Sequence, residues 1–244
     1  LQRMVDLPEG ALAGADLSRL KLIAVSGSAL PGELALRAMD RFGDLLYNLY
    51  GSTEVAWASI AGPADLRAAP GTAGRPPFGT TVELFDEQDR PVRGADQTAR
   101  IFVDNGLSFE GYTGGESKQQ IGSLMATGDV GHFDSEGRLF VDGRDDEMIV
   151  SGGENVFPRE VEDLLADHSG VTEAAVIGVA DDQWGQRLRA YVVRSDELGP
   201  DEAELQQLVR SRLAAYKVPR EVIFIDELPR NATGKVQRRE LPAQ

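Results

Sequence analysis

The feature that most narrows the fold is a single stretch near the start: an apolar run, a tight turn, an amphipathic segment and a second apolar run. Leu20-Lys21-Leu22-Ile23-Ala24-Val25 ends at Ser26-Gly27-Ser28, a turn signal. Pro31 stands where a helix takes its first residue, and Leu34, Ala38 and Phe42 fall on one helical face. Asp44 to Leu49 reads as the next strand. A strand–helix–strand unit of this kind makes parallel sheet, because the helix packs back over the strands it joins. The fold class expected is α/β.

Two further textures follow. From Gly71 to Val141, Gly and Pro punctuate short alternating runs (Thr81 to Phe85, Ala99 to Val103, Arg138 to Val141), which predict a β-rich subdomain. Near Gly143 the pattern turns to α+β. Pro158 opens a helix with Val161, Leu164 and Leu165 inward, and Ala174 to Val179 and Leu188 to Val193 read as strands. Pro200 opens a second helix with a Leu205, Leu208, Val209, Leu213 stripe, and Glu221 to Ile225 is a last strand. The expected division is residues 1–143 and residues 144–244.

Charge and composition exclude several functions. The 244 residues carry a formal net charge of -15, so no positive field gathers nucleic acid or an anionic membrane. There are no cysteines, which removes disulfides, thiolate metal sites and cysteine nucleophiles. His132 and His168 show no ligand spacing. No signal peptide or membrane span is visible, and cytoplasm is the expected location. The chain begins Leu1-Gln2-Arg3 and reaches a strand-like run almost at once, so a piece of something longer is expected.

Four short signals carry chemistry. Tyr50-Gly51-Ser52-Thr53-Glu54 follows the strand at Leu45 to Leu49: glycine allows close approach, hydroxyls bond phosphate, a carboxylate suits Mg²⁺, and an aromatic stacks on a base. The same residues also make an ordinary polar turn. Thr127-Gly128-Asp129 offers a carboxylate to a ribose diol, or is an Asx turn. Gly143 to Pro158 runs from a charge cluster through Ser151-Gly152-Gly153 to a helix start, and equally reads as solvated surface and flexible loop. Pro229-Arg230-Asn231-Ala232-Thr233-Gly234-Lys235-Val236 is not a P-loop, since Pro229 and Val236 stand where glycine and Ser/Thr are needed. A lysine there is otherwise a solvated side chain.

Taken in this order and spacing, the four signals resemble the adenylate-forming superfamily of acyl-CoA synthetases, adenylation domains and luciferases. The resemblance runs from Ser26 to Leu241, and the Ser151 to Pro158 stretch is similar to the acyl-CoA and aryl-CoA ligase branch. It implies the tail of a large N-terminal domain followed by a small α+β lid domain. It implies a ligase of a carboxylic acid, with a fatty acid favoured, and coenzyme A, using ATP and Mg²⁺. Tyr50 would stack on adenine opposite Gly27, Ser28 and Ala29. Gly51 and Ser52 would line the nucleotide, Thr53 would bond the α-phosphate and Glu54 would hold Mg²⁺. Asp129 and Arg144 would hold the ribose, Asp146 would be the hinge, and Lys235 would serve adenylation. Ser151, Gly152 and Gly153 would line the path of the coenzyme A arm.

Some residues depart from the family pattern. Thr98-Ala99-Arg100-Ile101 replaces Gly-Glu-hydrophobic, and Leu124-Met125-Ala126 lacks the aromatic usual before Thr-Gly-Asp. The family's phosphate loop is not in the sequence. The expected partners are therefore the small molecules and the N-terminal part of the same enzyme, with a homo-oligomer an open possibility. The alternatives are an acyl-AMP ligase or adenylation domain that loads a carrier protein, and a non-catalytic fragment or binding module. Trp57 and Ala58 face either an acyl pocket or, the preferred expectation for Trp57, the core.

Overall fold

In a computed structural model the first apolar run becomes a shorter strand than its hydropathy suggests. The structure describes residues 1–12, 14–109, 111, 117–196, 199–231, 234 and 236–242. They form two compact units, Leu1–Asp142 and Gly143–Gln244.

The first unit opens with α1 (Gln2–Val5), then β1 (Ile23–Ser26), α2 (Gly32–Phe42), β2 (Leu46–Ser52), β3 (Ala56–Ala61) and α3 (Pro63–Ala68). Pro31 is the cap of α2 rather than its first residue, with φ -59° and ψ 139°. The helix buries Ala35, Ala38 and Met39, with Leu34 and Phe42 at the edge of the same cluster. Burying side chains such as Met39, Leu46 and Leu66 completely contributes ~1.5–3 kcal/mol each. β1 pairs parallel with β2, as the helix crossover requires, and β2 turns back antiparallel into β3.

The β-rich part supplies β4 (Thr81–Phe85), β5 (Pro91–Val92), β6 (Ala99–Asp104), β7 (Gln120–Ile121), β8 (Leu124–Phe133) and β9 (Leu139–Arg144). They form a six-stranded sheet in the order β5-β4-β6-β8-β7, with β9 on β8. Its core includes Leu84, Ile101, Val103, Met125 and Leu139, and Tyr50 packs against it from β2. The segment Thr72 to Arg75 ties the two sheets together. Asn48 donates to Thr72 O, Ser59 donates to Ala73 O, and Thr72 donates to Leu139 O. Gly74 is required there: a Cβ would lie 2.1 Å from Ile60 O, and its φ is +86°.

The second unit contains β10 (Ile149–Ser151), β11 (Glu154–Val156), α4 (Pro158–Ala166), β12 (Val171–Asp181), β13 (Gly185–Arg194), α5 (Glu202–Arg212) and β14 (Glu221–Phe224). One sheet runs β11-β10-β13-β12, with β14 parallel to β13. Both helices press their apolar stripes onto it: Val161 and Leu165 from α4, Leu205 and Val209 from α5. The second helix starts later than Pro200 suggested. Asp201 is its cap and accepts from Glu204 N at 2.8 Å, satisfying a backbone donor that proline could not. The α/β fold with a β-rich subdomain and an α+β domain is thus what the chain adopts. Among the described residues no helix is long and apolar enough to cross a membrane.

Candidate functional site

Two of the sequence signals meet at the carboxyl ends of parallel strands. The pairing of Ser26 with Leu49 sets Gly27-Ser28-Ala29 beside Tyr50-Gly51-Ser52. Gly27 takes φ +86°, a conformation that residues with a Cβ rarely adopt, and Gly27, Ser28 and Ala29 are all exposed. Parallel α/β sheets bind ligands at this end of their strands.

Tyr50-Gly51-Ser52 does not form a turn after the strand but is its continuation. β2 runs to Ser52 with a register shift between Tyr50 and Gly51. The glycine serves the hairpin first: a Cβ on Gly51 would stand 1.9 Å from Ala56 O and 2.8 Å from the Trp57 Cα. The turn itself is Thr53 to Val55. Ser52 Oγ accepts from Glu54 N at 3.3 Å, and Glu54 O accepts from Phe109 N at 2.8 Å. Thr53 is exposed and Glu54 is half-buried.

Tyr50 Oη donates to Asp129 Oδ2 at 2.7 Å, across 79 residues of sequence. Thr127-Gly128-Asp129 lies within β8 rather than at a turn. Thr127 is buried, donates to Ile101 O at 3.1 Å and accepts from Asp129 N at 3.0 Å. Gly128 takes φ +84°, which re-aims the strand at this point. A phenol and a carboxylate are therefore fixed side by side next to the exposed Gly27 to Ala29 bend.

Arg144, Asp146 and Ser151 to Gly153 belong to the second unit. Arg144 Nε lies 3.1 Å from Asp146 Oδ1, and Asp146 sits in the 3₁₀ turn Asp145–Glu147. Ser151 and Glu154 end β10 and begin β11, so Gly152 and Gly153 are a two-residue hairpin turn with φ +63° and +87°. This is a defined turn, not the flexible loop that the composition also allowed. Gly152 N donates to Trp184 O at 2.9 Å, and a Cβ on Gly152 would meet the Trp184 ring at 2.6 Å. Lys235 lies outside the described residues.

Pattern reading missed two contributors, Asn105 and Trp184, and preferred the wrong side for Trp57. Asn105 Nδ2 donates to Val55 O at 2.6 Å and to Trp57 O at 2.8 Å, locking the far side of the hairpin. Trp184 backs the glycine turn. Trp57 is 47% exposed, against the expectation of a core tryptophan, while Ala58 is buried. Ala58 and Trp57 are neighbours in β3 and point to opposite faces.

Among the described residues no cluster of three or more His, Asp or Glu gathers to hold a metal. Glu54 offers a single carboxylate, which fits Mg²⁺ when phosphates supply most of its oxygens.

The AMP-binding enzyme family matches residues 1–113, and the AMP-binding enzyme C-terminal domain matches residues 160–235. The indoleacetate–CoA ligase of Aromatoleum aromaticum is 39% identical over 231 residues, covering 92% of this chain and 44% of the relative. The 2-succinylbenzoate–CoA ligase of Bacillus cereus is 36% identical over 248 residues, covering 98% and 49%. The solved amide bond synthetase of Marinactinospora thermotolerans superposes with a TM-score of 0.89 at 30% identity, covering 98% of this chain and 50% of that one. The chain thus spans about half the length of the proteins it matches. The acids in these ligase names are aromatic, so the expectation of a fatty acid has no support in them. The chain belongs to the adenylate-forming, AMP-binding enzyme family.

Proposed function

We propose, from the membership of this chain in the AMP-binding enzyme family, that it is the later part of an enzyme joining a carboxylic acid to coenzyme A through an acyl-adenylate. The observation that supports this most directly is the Tyr50–Asp129 bond beside the Gly27 to Ala29 bend. It gives one place a base-stacking ring and a diol-binding carboxylate.

In the first step a carboxylate oxygen of the acid attacks the α-phosphorus of ATP and pyrophosphate leaves. Tyr50 stacks on the adenine, with Gly27, Ser28 and Ala29 along its other side and Gly51 and Ser52 beneath. Asp129 and Arg144 take the ribose hydroxyls, and Thr53 bonds the α-phosphate. Mg²⁺, held by Glu54, supplies neutralisation of phosphate charge when bound. Lys235 brings an ammonium to the point where two anions must meet. In the second step the thiol of coenzyme A attacks the acyl carbon, AMP leaves and the thiol proton is released. Asp146 is the hinge about which the second unit turns between steps, and the Ser151-Gly152-Gly153 turn lines the thiol's path.

The acid carries an aromatic ring. Trp57, exposed directly after the Tyr50 to Glu54 hairpin, offers a flat apolar face for it, and indoleacetate and 2-succinylbenzoate are of this class. Acid-dependent exchange of pyrophosphate into ATP by the intact enzyme, across aryl and alkyl acids, tests the first step. No exchange with any acid leaves a binding module. The likeness to an amide bond synthetase favours a second reading of the acceptor alone, an amine in place of the thiol. AMP release with coenzyme A, an amine or a carrier protein as acceptor separates these.

A further inference from the structure

The segment that contains Lys235 is tied at its base by two arginines. Arg230 and Val236 form an antiparallel bridge, and Gln237 N donates to Pro229 O at 2.8 Å. Arg230 donates to Gly234 O at 2.6 Å and to Glu173 on β12 at 2.5 Å. Arg238 reaches further. Its Nη2 donates to both oxygens of Glu162, at 3.0 and 2.8 Å, and its Nη1 lies 3.0 Å from Glu147 Oε2. Glu162 is on α4 and also accepts from Val176 N at 2.7 Å. Glu147 ends the turn Asp145–Glu147 and follows Asp146 in the chain.

One guanidinium therefore joins three places: the first turn of the second unit, helix α4, and the chain three residues after Lys235. Stability alone is a poor reason for this. Burial pushes the Glu162 carboxyl above its usual range, against the pull of Arg238, and well-packed apolar residues stabilise such a position at least as well as a buried ion pair. What a planar fork with two carboxylates does supply is fixed mutual orientation. We propose that Arg238 is a positioning residue that makes the Asp145–Glu147 turn and the chain from Val236 to Arg238, directly after Lys235, one rigid piece. Bending at the turn then moves the chain beside Lys235 with it. This rests on the reading above that Lys235 acts in adenylation and Asp146 is the hinge.

Glu147→Gln cuts the leg to the turn and leaves the Glu162 bonds in place, so the fold survives it. In the intact enzyme it is expected to slow acid-dependent pyrophosphate exchange ~10-fold, the scale of one charge-assisted hydrogen bond. Thioester formation from supplied acyl-adenylate is expected to stay within about twofold, because the lysine has then left the site. Arg238→Lys, which keeps the charge and loses the fork, is expected to give the same split with a larger first effect. Equal slowing of both steps, or of neither, overturns the proposal. Hydrogen exchange at the Val236 and Gln237 amides gives a readout that needs no activity: it is expected to quicken by ~10-fold in Glu147→Gln. If the unaltered enzyme exchanges pyrophosphate with no acid, the function above has failed, and the amide exchange alone decides: unchanged rates refute the clamp.

Discussion

Two glycine-bearing hairpins of this chain solve opposite problems. In the first unit, Gly51 is pressed against the backbone of β3, and the turn beyond it is pinned by Asn105 and by Phe109 N on Glu54 O. In the second unit, Gly152 and Gly153 form the turn itself, Gly153 has open space around it, and Trp184 supports one side. Hydrogen bonds on both flanks make a fixed shelf. A left-handed two-residue turn leaning on one ring makes an exposed finger. The lesson is that the same residue type serves rigidity in one place and access in the other, according to what its missing Cβ would touch.

The sharpest test of this division lies in the half-reactions. Lys235→Ala in the intact enzyme is expected to slow adenylate formation by ~10²–10³, typical of losing one charge partner in a transition state. Thioester formation from supplied acyl-adenylate is expected to change far less, and equal loss in both assays breaks the separation of roles. Gly51→Ala comes next. Its Cβ has no room, so the hairpin must open, at a cost of ~3 kcal/mol or more by denaturant unfolding, with nucleotide binding lost. Unchanged stability and binding would mean that the shelf is not fixed.

Gly152→Ala meets a side chain rather than backbone, and the Trp184 ring can shift. A cost of ~1–2 kcal/mol, mostly from the left-handed φ, is expected, with impaired thioester formation and normal pyrophosphate exchange. The smallest effect is at the end of the first unit. His132 Nδ1 lies 3.0 Å from Asp142 Oδ2, its ring stacks on Phe140, and Thr98 donates to the same carboxylate oxygen. The hydrogen bond to Asp142, aided by the charges of Asp96 and Asp134, raises the imidazole above its ordinary value. A raised value in the folded state means stabilisation that is complete below about pH 6.5 and is lost as pH rises through the elevated value. Thermal unfolding followed between about pH 6 and pH 8 is expected to show a loss of under ~1 kcal/mol, absent in His132→Gln.

Local patterns made part of this legible. The run to Val25, the turn at Gly27 and the face of Ala38 disclosed the parallel unit because period and punctuation agree there. β3 was not legible. Ala-Trp-Ala-Ser-Ile-Ala has little strand propensity, and the strand exists because Gly51 lets β2 carry it. Thr127-Gly128-Asp129 looks like a turn, yet it is a bulge within β8: Ala126 and Val130 on either side pair with Phe102 and Arg100 of β6. The Tyr50–Asp129 bond spans 79 positions and leaves no periodic trace, so the sequence did not offer it; the family resemblance gave only a separate nucleotide role to each residue. Arg238 with Glu147 and Glu162 was invisible for the same reason, since each alone is an ordinary surface charge.

Trp57 and Trp184 have an optical consequence. They are the only two tryptophans in these 244 residues, one in each unit. Trp57 stands partly in solvent beside the Tyr50 to Glu54 hairpin, and Trp184 lies under the glycine turn with the Arg220 guanidinium 5.4 Å from its ring centroid. A bound aromatic acid would quench or shift the emission of the first indole, and a thiol arm passing the turn would disturb the second. With each tryptophan in turn replaced by phenylalanine, a stopped-flow trace separates arrival of the acid from arrival of the acceptor. The absence of cysteine leaves every position open for a single engineered thiol and a distance-dependent acceptor dye.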